Sequence, residues 1–171
     1  MLSLRTRGGR RGEFSIPQLE LFPVTENNQV IIIIRLKKLE TLPSDQARDL
    51  IKICESTIKI LLKKESTVWV NKVNENIISD AEIKVSLKNV SGKEAISIKE
   101  VNATINAIYT DLFRQLDILS KPIKIIIWRY KKYKIPASKG YETIILPTIS
   151  EKIIYRPIEI IEARFIPFFF F

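Results

Sequence analysis

The stretch VIIIIRL, residues 30–36, is a β-branched run that carries apolar side chains at both parities before Arg35 interrupts it. A strand with one wet face would alternate, so this run reads as an interior strand covered on both sides. Asn27 and Asn28 mark a turn just before it. Residues 14–24 mix Ile16, Leu19, Leu21 and Phe22 with Pro17 and Pro23, which predicts an extended segment lying over the core.

Downstream the period changes. Ala47, Leu50, Ile51, Cys54, Ile58, Leu61 and Leu62 recur at helical spacing, with Ser44 placed as N-cap. Asp45 and Asp49 lie near the start and Lys59, Lys63 and Lys64 near the end, as the helix dipole favours. Ile53 and Ile60 widen the stripe toward a second contact surface. A second helix is signalled by the S-x-x-E capping box of Ser97 and Glu100, with Ile96 and Val101 set for a hydrophobic staple. Its stripe runs through Val101, Ile105, Ile108, Leu112, Leu116 and Leu119 until Ser120 and Pro122. Ser91 with Glu94 is a competing start.

Between the helices, residues 67–73 are β-rich, residues 81–88 alternate, and Ile96 and Ile98 resume the alternation after Asn89, Ser91 and Gly92. That pattern predicts a three-strand antiparallel meander. Residues 123–128 form another apolar run, followed by a basic segment expected to be an exposed loop. Residues 144–146, 153–155 and 158–161, punctuated by Pro147 and Pro157, read as short strands or extended arms at a sheet edge. The expected fold is α+β: a mostly antiparallel sheet of five to seven strands with two long amphipathic helices packed on one face, and an extended proline-containing C-terminal arm. Residues 1–13 read as a flexible basic arm, 14–162 as a single domain and 163–171 as a hydrophobic C-terminal tail.

Composition narrows the chemistry. The 171 residues are 46% hydrophobic and 27% charged, which fits one globular core and not a disordered chain. No apolar run approaches the length of a membrane-spanning helix, and a cytoplasmic location is expected. The chain has one cysteine, Cys54, and no histidine, so an internal disulfide, a Cys/His zinc site, a Ser/His/Asp triad and an imidazole base are all ruled out. Cys54 lies on the apolar stripe of the first helix and reads as a small buried hydrophobe. Beyond residue 12 only Gly92 and Gly140 remain, too few for Gly-rich phosphate loops. Asp45 with Asp49, and Asp111 with Asp117 around Arg114, are carboxylate pairs at helical spacing, most simply surface charges. No catalytic residue, metal ligand or cofactor is assigned.

The net charge is +9, and its distribution is uneven. Arg5, Arg7, Arg10 and Arg11 in the N-terminal arm, and Arg129, Lys131, Lys132, Lys134 and Lys139 in residues 129–139, sit in acid-free segments. The remaining nineteen basic groups balance nineteen acidic ones, so the positive field is local. In residues 128–134, Trp128, Tyr130 and Tyr133 interleave with Arg129, Lys131, Lys132 and Lys134, suited to phosphate contacts and base stacking. A strand with solvated lysines that protect its edge gives the same string.

The terminal Phe168, Phe169, Phe170 and Phe171 would bury a large apolar area in the chain's own core or in a partner's groove. The function expected is a non-catalytic interaction or assembly module that engages a protein partner or forms a homo-oligomer. The alternative is an RNA- or DNA-binding protein that uses Arg129, Tyr130, Lys131, Lys132, Tyr133 and Lys134, with the arginine arm as a second contact.

Overall fold

The computed structural model describes residues 15–27, 29–87 and 97–154. The arginine arm, the competing start at Ser91, the Ile96 half of the staple and the phenylalanine tail lie outside the described residues. Three hairpins are joined by two helices. The order is β1 (Gln18–Glu26), β2 (Gln29–Lys37), α1 (Ser44–Leu62), β3 (Thr67–Asn74), β4 (Ile77–Leu87), α2 (Ile98–Gln115), β5 (Ile123–Ala137) and β6 (Gly140–Ile154). They form one six-stranded sheet in the order β3-β4-β2-β1-β5-β6. Every pairing is antiparallel except β1 with β5, so the chain is a mixed α and β fold with a mostly antiparallel sheet.

The reading of residues 30–36 positions the rest. Ile32, Ile34 and Leu36 on β2 turn to one side and join Leu19 and Leu21 of β1, Ile83 of β4 and Ile125 of β5 in a single core cluster. Ile33 points the opposite way and is also buried, between its cross-strand neighbours Phe22 and Lys84. Leu50, Cys54 and Ile58 of α1 and Val101, Ile105, Ile108 and Leu112 of α2 belong to the same cluster. The helices also meet each other: Thr57, buried on α1, accepts a hydrogen bond from Gln115 Nε2 at 3.0 Å.

The capping box of α2 closes, with Glu100 N–H donating to Ser97 Oγ at 3.1 Å and Ser97 N–H to Glu100 Oε1 at 3.4 Å. On α1 the boundary differs from the sequence reading. Pro43 is the N-cap and Ser44 the first helical residue, with no side-chain capping bond.

Four further expectations are corrected. Residues 18–26 are a sheet strand between β2 and β5 and not a segment laid over the core, because Pro23 needs no hydrogen bond on the side where its ring sits. Residues 67–87 hold two strands, the capping box draws Ile98 into α2 and out of the expected third strand, and residues 88–96 lie outside the described residues. The basic segment is not a loop: β5 runs through it to Ala137, paired along its whole length with β6. The stretch from Gly140 to Ile154 is one strand of 15 residues, with Pro147 carried inside this edge strand, while Pro157 and residues 158–161 lie outside the described residues.

Candidate functional site

The basic segment begins where the sheet forks. Lys124 N–H donates to Pro17 O at 2.9 Å, and the parallel register runs from Gln18↔Lys124 to Leu21↔Ile127. Alternation along this ladder makes residues 19, 21 and 23 of β1 the ones whose backbone faces β5. The third of these is Pro23, which has no N–H, and the pairing stops one step before it. From residue 128 onward β5 pairs with β6 alone, out to the closing pair Ala137↔Gly140. Ten residues at the strand rise make a two-stranded ribbon about 33 Å long. Gly140 at its tip has φ 113°, a conformation open to glycine and strained for other residues.

Side chains hold the fork. Tyr130 Oη donates to Pro23 O across it at 3.5 Å. On the other side, the Asn102 carboxamide of α2 satisfies both backbone groups of Tyr130: Oδ1 accepts from its N–H at 3.0 Å and Nδ2 donates to its C=O at 2.8 Å. Asn102 thus stands in for the strand that β1 no longer supplies. Arg129 Nε donates to Asn106 Oδ1 at 2.7 Å and Arg129 Nη1 to Ser150 Oγ at 3.4 Å. Trp128 Nε1 donates to Glu20 Oε2 at 3.1 Å.

The predicted basic site therefore divides into two parts. Arg129 and Tyr130 are half-buried and tied to the body. Lys131, Lys132, Tyr133 and Lys134 are exposed on the ribbon. Lys131 Nζ stands 5.4 Å from the Tyr133 ring centroid, and the ion pairs among the described residues include none of Lys131, Lys132 and Lys134. Arg5, Arg7, Arg10, Arg11 and Phe168, Phe169, Phe170 and Phe171 lie outside the described residues.

No family model, curated protein or solved structure matches this chain. Its functional reading rests on the chemistry of the ribbon and its surroundings.

Two features of that chemistry were missed in the sequence. The first is an apolar row on β6: Ile145, Ile149 and Ile153, each 48% exposed, occupy every fourth pair, opposite Lys132, Trp128 and Lys124. The four-residue spacing was visible but was split between separate short strands. The second is a charged row across the sheet, in which Arg35 Nε meets Glu82 Oε2 at 3.1 Å and Arg35 Nη1 meets Glu20 Oε1 at 3.6 Å, with the guanidinium 4.9 Å from the Phe22 ring centroid. That row needed the strand order, which no local signal carries.

Two concavities flank the fork. A cleft of about 300 Å³ is lined by Phe22, Pro23, Arg35, Trp128, Tyr130 and Pro147. A more open groove of about 540 Å³ runs between the first turns of α2 and β5, lined by Ile98, Lys99, Ala103, Tyr130, Lys131 and Lys132 among others, none of them acidic.

Cys54 is fully buried, and loss of hydration of the thiolate pushes its thiol up to about 12. Asp111 is ion-paired with Arg114, and Asp117 is exposed. Among the described residues no group of three Cys, Asp or Glu side chains converges to hold a metal ion, and no helix is long and apolar enough to cross a membrane.

Proposed function

We propose that this chain is a non-catalytic interaction module that engages an acidic protein partner through the β5–β6 ribbon. The observation that carries the reading is the pair Ile145 and Ile149 on the edge strand of the ribbon, continued by Ile153 where β6 runs along the body, beside the exposed cations Lys132 and Lys134. Exposed apolar rows rimmed by charge are the usual composition of protein contact sites. A second copy of the chain is the weaker occupant, because Arg129, Lys131, Lys132 and Lys134 would be brought against their own counterparts. Both helices are taken to cover the same face of the sheet, which leaves the face carrying Arg35 and Trp128 open toward a partner. A cytoplasmic setting is part of the proposal.

A photo-crosslinking residue at Ile149, with a control at the exposed Ile60 of α1, tests this in cells. The reading expects a discrete protein adduct from position 149 only, abolished by Ile145→Ser. Adducts of equal yield from both positions, or an adduct with twice the chain's own mass, contradict it.

A second reading, RNA or DNA binding, is favoured by one specific observation: Tyr133 and three lysines are exposed on one ribbon, with no ion pair to the described residues. This reading expects affinity for a single-stranded oligonucleotide that falls steeply between low and moderate salt, and loss of the position-149 protein adduct in favour of a nuclease-sensitive one. No binding at low salt removes it.

A further inference from the structure

Beyond the fork, β5 has an edge that no other described strand uses. Tyr130 directs its N–H and C=O away from β6 and toward Asn102. Two-residue periodicity then sends the backbone groups of Lys132 and Lys134 to the same side, and the C=O of Pro136 with them. No described strand pairs there, since β1 leaves β5 after Leu21↔Ile127, and no hydrogen bond from another described residue reaches Lys132 or Lys134 on that side. The edge borders the groove of about 540 Å³ between α2 and β5. A groove with a strand edge on one wall and a helix on the other is the geometry in which an extended peptide adds a strand.

Charge selects the occupant. Among the described residues, Lys99, Lys131 and Lys132 line the groove and no acidic residue does, and Lys134 adjoins it on the same strand. Ile98 and Ala103 add apolar surface. We infer that this groove captures an extended acidic segment of a partner protein, which pairs its backbone with Lys132 and Lys134 of β5 and sets its carboxylates against Lys99, Lys131 and Lys132. Asn102 ends the added strand, because it already fills the Tyr130 position. This inference deepens the proposed function and rests on it: it names the partner's chemistry and how it binds.

The test uses the full chain and a labelled heptapeptide that alternates valine and glutamate, followed by fluorescence anisotropy at low and moderate salt. Two controls are a version N-methylated at alternate amides and an oligonucleotide of equal charge. Pro136 already occupies this edge two residues beyond Lys134, so Lys134→Pro removes a donor there without touching the ladder to β6. Lys134→Gln removes only the charge.

The expected result is binding that weakens about tenfold or more on N-methylation and about tenfold or more in Lys134→Pro, but only a few-fold in Lys134→Gln. Slower exchange of the Lys132 and Lys134 amides in the complex is expected as well. The inference is overturned if Lys134→Pro and Lys134→Gln bind alike, if N-methylation has no effect, or if the oligonucleotide binds more tightly than the peptide. Should the protein adduct at position 149 survive while the peptide fails to bind, the edge-capture inference fails and the interaction module stands. Loss of both removes the module reading itself.

Discussion

The Asn102 carboxamide holds both the N–H and the C=O of Tyr130, at 3.0 and 2.8 Å, and so occupies the place of a neighbouring strand at the point where β1 and β5 part. A parallel ladder that meets a proline leaves the facing carbonyl and the residues beyond it without partners. The amide of one helical side chain repairs the Tyr130 position, and beyond it no described residue pairs with the same edge at Lys132 and Lys134.

Asn102→Ala is expected to destabilise the fold by about 1–2 kcal/mol, the loss of two part-buried hydrogen bonds. Asn102→Asp keeps the acceptor but sets a carboxylate against the Tyr130 carbonyl, and is expected to cost at least as much. Denaturant unfolding gives the size. Hydrogen exchange gives the place, since the Tyr130 amide alone should speed up at low denaturant.

Arg35 separates Glu20 from Glu82 and covers the Phe22 ring. Its side chain is 37% exposed, so solvent screening limits each pair to a fraction of a kcal/mol. Arg35→Ala is expected to cost about 1 kcal/mol in total, counting the cation–π contact. Raised salt should shrink the difference between the variant and the parent. A difference that does not change with salt would assign the effect to packing alone.

Cys54 illustrates a pH effect whose sign follows from burial. Its thiol is held neutral up to about 12 in the fold, against 9.0 for the ordinary thiol. The unfolded chain therefore releases this proton first as pH rises, and stability that is fully present below pH 9 is lost progressively toward 12. Cys54→Ala should flatten that part of the curve at the cost of a small cavity. A thiol reagent should label the native protein only through unfolding, with a rate that follows denaturant.

On α1, Leu50 is fully buried and Ile60 is 70% exposed. Leu50→Ala is expected to cost about 2–5 kcal/mol and Ile60→Ala less than about 0.5 kcal/mol, as unfolding midpoints will show.

The sequence carried the elements well where period and packing agree. The run at residues 30–34 lies inside the sheet, and the capping box places the start of α2 at Ile98. It failed where proline and charge imply loops but pairing overrides them. Pro17 and Pro23 argued against a strand at residues 18–26, yet proline is tolerated on a side that donates nothing. Lys131, Lys132 and Lys134 fitted either an exposed loop or a strand with solvated lysines, and pairing with β6 holds them in a strand. Long-range order was not legible at all: nothing local says that β1 lies beside β5, and the fork, the Asn102 contact and the open edge all follow from that pairing.

The central claim is that the exposed apolar row of the ribbon serves contact with a partner and adds little to the stability of the body. The most direct measurement pairs equilibrium unfolding with crosslinking of the Ile145→Ser variant, the crosslinker remaining at position 149. The account predicts unfolding within about 0.5 kcal/mol of the parent for this exposed position, together with loss of the protein adduct. A loss of several kcal/mol, or an adduct formed in undiminished yield, would contradict it.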